Sequence, residues 1–330
     1  MLKYILKRLV FIVFVFLIVS IIIFVIYKAV PADPVLMQIE GMQQGMTPQA
    51  FQALYDFTLI ELGLDKPVYV QYFRWITRVA QLDFGRSLLQ RRPVIEVIRA
   101  PLSNTLRLNA VQMLIVFPIV IPLGISTAVR KGTVYDNAVQ VVTILGFSLP
   151  VFIICLLAIF IFASTLGILP VSGTVTPGLE LLGASNWELF LDRAKYMVLP
   201  VGVLVFTSLA GLTRYIRTTM IDALRMDYIR TARAKGLSEK VVIYSHAFRN
   251  SLIPFVTILI GWFITIFSGS IMVERIFSWN GMGLLYINSI LGFDYSVVMA
   301  IGMFYVLLGL VGYLVMDILY TLVDPRVRLS

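Results

Sequence analysis

The sequence predicts an all-α integral membrane protein with six transmembrane helices, on three observations. Hydrophobic residues make up 59% of the 330-residue chain, charged residues 14%, and the mean hydropathy is +0.91, whereas a soluble domain is about a quarter charged. A water-soluble fold could not cover so much apolar surface. Long uncharged runs also recur along the chain, and in lipid the backbone must satisfy its own hydrogen bonds, so these runs form helices.

The first run covers 9–27, behind Lys3, Lys7 and Arg8. Its basic start suits a signal peptide, but its 19 residues exceed the usual apolar core and no good small-x-small cleavage site follows. It reads as a retained span. The second lies between Arg107 and Arg130, and the third starts after Asp136 and ends near Thr165, before a Gly/Pro-rich turn at 167–177. A fourth lies between Lys195 and Arg214, a fifth between Arg249 and Glu274, and a sixth between Asp294 and Asp317. At about 1.5 Å per residue each crosses about 30 Å of hydrocarbon, the short fourth by recruiting a polar flank.

Prolines interrupt several spans: Pro118 and Pro122 in the second, Pro150 in the third, Pro200 and Pro254 near the starts of the fourth and fifth. Each removes a helical hydrogen bond and favours bending, although membrane helices tolerate proline well. Pro118, Pro122 and Pro150 are thus candidates for a pathway that moves, or for static packing. Asn109 and Gln112 are further polar candidates for a pathway or for helix association. Arg107, Glu274, Arg275 and Asp294 fall at span ends, where a pathway and a structural set of ion pairs are both open readings.

Loop charge sets the orientation. With a cytoplasmic N-terminus, the inside segments 1–8, 130–136, 214–249 and 324–330 carry 15 basic residues against five acidic ones, while 31–100 has seven of each. This positive-inside bias places both termini in the cytoplasm. The expected organisation is 1–30 as cytoplasmic start and first span, and 31–100 as an extracytoplasmic segment with short helices. A five-helix core follows over 101–323, with a cytoplasmic loop at 214–249, and 324–330 is a cytoplasmic tail. In the outer segment, Thr47-Pro48 caps a helix running towards Glu61; the chain breaks at 63–67, and Pro67 opens a helix through Val79. Tyr69, Tyr72, Phe73 and Trp75 there suit packing of a small cap better than ligand binding.

Residues 214–249 form the most informative loop. Ile221, Leu224, Met226, Tyr228 and Ile229 support a helix continuing to Lys235. Gly236 is placed to turn the chain after it, and Ser238 to cap a second helix, with Leu237 and Val242 at staple positions. Arg225, Arg230, Arg233, Lys235 and Lys240 suit anionic lipid, but Val241, Val242, Tyr244, Ala247 and Phe248 leave an apolar side that fits a groove on another protein better.

The stretch from Asp227, DYIRTARAKGLS, followed by HAFRNSLIP ending at Pro254, resembles the EAA-type coupling loop of ATP-binding-cassette importer permeases, most closely the first permease of the dipeptide/oligopeptide (and nickel) family. Further landmarks agree along the chain: LGLDKPVYVQY from Leu62, DFGRSL from Asp83, VERIFSWNGMG from Val273 and DPRVR from Asp324. One departure is that Arg230, Thr231 and Ala232 stand where the general motif has Glu-Ala-Ala, so a glutamate contact is not carried over.

The resemblance implies the type I importer permease (MetI-like) fold in a prokaryotic inner or plasma membrane. It implies one half of a peptide pathway, completed by a second homologous permease. Two P-loop ATPases would bind ATP and Mg, and an extracytoplasmic binding protein would deliver substrate; beyond these, the chain's own partner is membrane lipid. Arg230, Ala232, Ala234, Gly236, Leu237, Ser238, Val241, Val242, Tyr244 and His246 would then serve ATPase coupling, with 236–248 as the coupling helix.

The chain itself is expected to bind no cofactor, metal or nucleic acid and to hold no catalytic residue. It has no GxxxxGK[ST] loop, and its single His246 and single Cys155 lack ligand sets around them. Alternatives are an ion-coupled secondary transporter or channel, a membrane scaffold, or a permease of this class for nickel, haem or oligosaccharide.

Overall fold

A computed structural model of the chain describes residues 2–30, 33–39, 42, 45–179, 181–251, 258, 261–262 and 265–323. Among these, secondary structure is helical apart from a single bridge between Arg86 and Pro93. The chain divides into two compact units, Met1–Pro101 with Leu285–Ser330, and Leu102–Leu284.

The first unit opens with α1 (Leu2–Ala29), longer at both ends than the apolar run. Its residues Val10, Phe14, Ile18, Ile22 and Ile26 are exposed, which is unfavourable in water and is relieved by lipid. Three short helices follow: α2 (Pro34–Ile39), α3 (Pro48–Glu61) and α4 (Val68–Ala80). As expected, Thr47 caps α3, accepting from Ala50 N–H at 3.3 Å with Pro48 in the first turn. Tyr72 joins α4 to α1 through a 2.8 Å hydrogen bond with Ser20 and an edge-on contact with Phe24, and Trp75 also meets Phe24; of the four aromatic residues these two pack as the sequence suggested, whereas Tyr69 and Phe73 are exposed.

After the start of α5 (Val94–Val129), the chain enters the second unit. The third span is not one straight helix. α6 (Val134–Ser148) and α7 (Val151–Ala158), the latter continuing as a π-helical segment Ile159–Thr165, meet at 105°. Pro150 sits at the corner, preceding α7, because it can begin a helix but cannot donate to the turn before it.

α8 (Asn186–Leu224) starts at a capping box formed by Ser185 and Glu188. Its 39 residues correspond to about 58 Å, roughly twice the hydrocarbon thickness, so the uncharged 196–213 segment is only its middle. The main core packs Val116, Val120, Ile125 and Ala128 of α5 with Leu212, Ile216, Met220 and Ala223 of α8.

The loop helices α9 (Asp227–Ala234) and α10 (Glu239–Val241) follow, α10 running on as a π-helical segment Val242–Phe248. α11 (Ile271–Ile276) closes the unit's second core, where Val273 and Phe277 meet Ile154, Cys155, Leu199 and Val203. α12 (Met282–Leu291) then leads to α13 (Tyr295–Val323) in the first unit. There α13 packs along α1, and Asp317 takes Arg8 at 2.6 Å and the Tyr4 hydroxyl at 3.0 Å.

Among the described residues, four helices are long and apolar enough to cross a membrane, or five counting the bent pair. Six were expected. The difference is the fifth span between 249 and 274, in which 252–257, 259–260 and 263–264 lie outside the described residues, as do Pro254 and the 324–330 tail.

Candidate functional site

The 225–248 segment is a hairpin of two short helices. The expected helix through to Lys235 is broken at Arg225 and Met226: α8 ends at Leu224, and α9 starts afresh with Asp227 in its first turn. α9 then ends in a double hydrogen bond around Gly236. Gly236 N–H donates to Arg233 C=O at 2.9 Å and Leu237 N–H to Ala232 C=O at 3.4 Å, the pattern of a Schellman turn. Gly236 has φ +75°, and a side chain there would meet no atom within 4 Å. The constraint is conformational, not steric.

Gly236→Val is therefore expected to cost about 1–2 kcal/mol and to loosen the hairpin, with Gly236→Asn much milder because Asn adopts the left-handed region readily. Limited proteolysis within 225–249 checks this.

Ser238 occupies the position before α10, but its side chain makes no capping hydrogen bond. The turn is closed instead by Arg233, whose Nε and Nη2 donate to the two Glu239 carboxylate oxygens at 2.7 and 3.2 Å. That pairing holds the Glu239 carboxyl below its usual range. Its contribution is present at neutral pH and is lost as pH falls through the lowered value. Arg230 lies 3.6 Å from Asp227 with both side chains largely exposed, a geometry that contributes little.

The two faces of the hairpin differ. Ile229, Ala232, Val242 and Ala247 are buried and join the core that contains Met220 and Ala223 at the end of α8. On the other face Leu237 and Val241 are 39% exposed and Tyr244 50%; Arg230, Ala234, Gly236 and Ser238 are also exposed, and His246 is half-buried. Of the predicted coupling residues, Ala232 and Val242 thus fasten the hairpin to α8, and the others stand clear of it. Tyr228 and Met226, read in the sequence only as helix formers, are exposed as well. Their offset from the inward pair Ile229 and Ala232 was the available signal.

One fastening was missed. Arg217 on α8 donates from Nε and Nη2 to both oxygens of Asp136, each at 2.7 Å, and Gly132 N–H adds a third bond at 2.9 Å. Asp136 is fully buried. The pair ties the turn between α5 and α6 to α8 just before the hairpin. In the sequence Asp136 counted only as a loop charge.

Of the five pathway candidates, Asn109 and Gln112 hydrogen-bond to neighbouring segments, while Pro118, Pro122 and Pro150 are exposed. Asn109 Nδ2 donates to the carbonyls of Ile266 and Ser268 at 2.7 and 3.0 Å, and Gln112 Nε2 donates to Ser208 Oγ at 2.8 Å. Pro118 and Pro122 lie on an exposed strip of α5 with Leu114 and Ile119, and the helix runs through them unbroken.

Of the four span-end charges, Arg107 and Arg275 are exposed, while Glu274 and Asp294 are buried. No ion pair joins any of them among the described residues. Asp294 accepts from the Ser87 hydroxyl and from Leu88 and Leu89 N–H. Glu274 accepts from the Thr105 hydroxyl at 2.9 Å and Leu284 N–H at 2.9 Å, and Thr105 in turn accepts from Met282 N–H at 2.8 Å. A side chain on Gly269 or Gly281 would come within 2.5 Å of the Glu274 carboxyl group, so glycine is what lets the 269–284 segment wrap it. Glu274→Ala would strand both donors and is expected to cost about 2–4 kcal/mol, with Glu274→Gln milder. Thermal unfolding in detergent measures the difference.

Two family descriptions match the chain: "Binding-prot-dependent transport system membrane comp, N-term" over residues 1–109, and "Binding-protein-dependent transport system inner membrane component" over 120–329. The chain belongs to this family of transport-system membrane components. Relatives resemble the permease from end to end. The oligopeptide transport system permease protein AppB of Bacillus subtilis is 38% identical over 329 residues, 99% of this chain and 100% of the relative. The dipeptide transport system permease protein DppB of Escherichia coli K12 is 34% identical over 342 aligned positions, and the di/tripeptide permease DppB of Pseudomonas aeruginosa 34% over 339, each covering 99% of both chains. These likenesses favour the permease over a secondary transporter, a channel or a scaffold.

Proposed function

We propose that this permease forms half of the translocation pathway of an ATP-driven importer for di- and oligopeptides, with the 225–248 hairpin as its contact with an ATPase subunit. The observation that carries the proposal is the division of the hairpin into a buried face locked to α8 and an apolar exposed face of Leu237, Val241 and Tyr244. Apolar residues held out on a rigid support suit a protein groove. The named peptide permeases among its relatives support the substrate class.

In this reading the permease hydrolyses nothing and binds no cofactor. Two P-loop ATPases hold ATP and Mg, a second homologous permease completes the pathway, and an extracytoplasmic binding protein delivers peptide. The chain lies in the inner or plasma membrane with both termini and the hairpin in the cytoplasm, the orientation favoured by its basic loops.

ATP-driven closure of the ATPases would displace the hairpin. Val242 and Ala247 would pass that displacement to α8, and Arg217 to the turn at Asp136, so that α5, α6 and α8 respond as one element. Reconstitution tests the reading. Labelled dipeptide or oligopeptide should enter proteoliposomes only with the complete complex, binding protein and ATP present. Uptake by this chain alone, or uptake indifferent to ATP, contradicts it.

A further inference from the structure

The helix α4 is two-sided. Helical spacing puts Tyr69, Tyr72, Phe73, Ile76 and Ala80 on one side, and Gln71, Arg74 and Arg78 on the other. The polar side is the one turned into the unit. Gln71, Arg74 and Arg78 line a cavity of about 410 Å³ at the end of α1, together with Lys28, Glu61 and Asp83. Gln71 Nε2 is also held by the Leu64 and Lys66 carbonyls at 3.1 and 2.7 Å. The apolar side is turned out, with Tyr69 66% and Phe73 62% exposed. A helix covering a domain in water has the reverse arrangement, apolar side in and charged side out.

The level of α4 is set by its contacts with α1. The apolar run of that span ends at Tyr27, and Ser20, which shares a hydrogen bond with Tyr72, stands seven residues earlier. At about 1.5 Å per residue, Ser20 is about 10 Å inside the end of the run. Phe24, in ring contact with both Tyr72 and Trp75, stands between the two levels. Side chains on α1 lean further towards its N-terminus, so α4 is fastened to the span below the membrane surface. Ile21 and Val25, beside Ser20 and Phe24 on α1, are exposed at the same level. From Phe24 the rings of Tyr72 and Phe73 follow at 5.5 and 5.6 Å, so an aromatic surface runs from the span out to Phe73.

We propose that α4 is an interfacial helix, sunk into the leaflet in which α1 ends. Tyr69 and Phe73 bed among the upper acyl chains, continuing the lipid-facing surface of α1, while Arg74 and Arg78 keep to the polar side at the cavity. The occupant of the exposed stripe is lipid, because at this level a soluble protein has no access and the outward groups are apolar. The segment 31–100 is then tied to the membrane along α4 as well as through its two flanking spans. The inference needs only that α1 crosses the membrane, and it stands apart from transport and from the ATPase contact.

Nitroxide labels on the full-length chain test it, in vesicles of palmitoyl-oleoyl phosphatidylethanolamine and phosphatidylglycerol. The native Cys155 is buried, which leaves the introduced thiol to react. A label on Phe73→Cys should be relaxed by oxygen and little by a water-soluble nickel chelate, placing it about 5–10 Å below the phosphates. Tyr69→Cys should give the same result, and Arg78→Cys the opposite one, with the nickel chelate dominant. All three native side chains are exposed, so the labelled proteins should unfold at the parent temperature. The same contrast is expected in the assembled transporter. Nickel relaxation at 69 and 73 as strong as at 78 would put this side of α4 in water and overturn the proposal. Labels at 69 and 73 shielded from both reagents, in the single chain or in the assembly, would assign the stripe to a protein contact and overturn it equally.

Discussion

Arg217→Ala is expected to cost the permease about 3–5 kcal/mol, because it removes both arginine hydrogen bonds and the counter-charge from the fully buried Asp136 carboxylate. The size of the effect follows from geometry. Two 2.7 Å hydrogen bonds reach both carboxylate oxygens, and the arginine itself is 19% exposed, so little water can replace it. Removing both partners should hurt less than removing one: the D136L/R217M variant is expected to recover most of the loss, since an apolar pair strands no charge. Thermal unfolding of the three proteins in one detergent reads this order directly. Equal stability of Arg217→Ala and the parent would mean the pair does not hold the α5–α6 turn to α8.

The second large effect is on assembly. Val241→Asp with Tyr244→Asp places two carboxylates on the exposed face of the hairpin, where the fold tolerates them. In an apolar cleft of a partner each would be buried without a counter-charge. The double variant should fold like the parent yet bind the ATPase at least about 100-fold more weakly, and peptide uptake should fall to background. Val242→Asp, one residue away, should behave differently, since Val242 is fully buried against α8; it should unfold the hairpin before any partner is involved. Co-purification of the ATPase with each variant separates the two cases.

Helical, membrane-spanning character was legible because it depends on composition and run length alone. The Thr47-Pro48 cap and the Gly236 turn were legible because each is decided within a few residues. What the sequence concealed depends on distant partners or on continuity. The 105° corner at Pro150 falls inside one uncharged run, so hydropathy reads straight through it. The length of α8 was hidden for the opposite reason: charged turns at both ends look like loops, although Ser185 and Glu188 start a helix there.

Asp136 and Arg217 are 81 residues apart and Thr105 and Glu274 are 169 apart, so one chain read alone gives no sign of either pair. The inward and outward faces of the hairpin were half legible. Apolar residues were visible at helical spacing, but which of Val241 and Val242 meets α8 is set by tertiary packing.

The central claim is that the outward face of the hairpin is where this permease meets an ATPase. An introduced thiol tests it directly, because the native Cys155 is buried. Tyr244→Cys in the permease alone should react readily with a maleimide. In the complex assembled with the ATPase, binding protein and second permease, the same thiol should be protected and should give a permease–ATPase crosslink whose yield changes when ATP is added. Equal labelling with and without the ATPase, and no crosslink, would contradict the account.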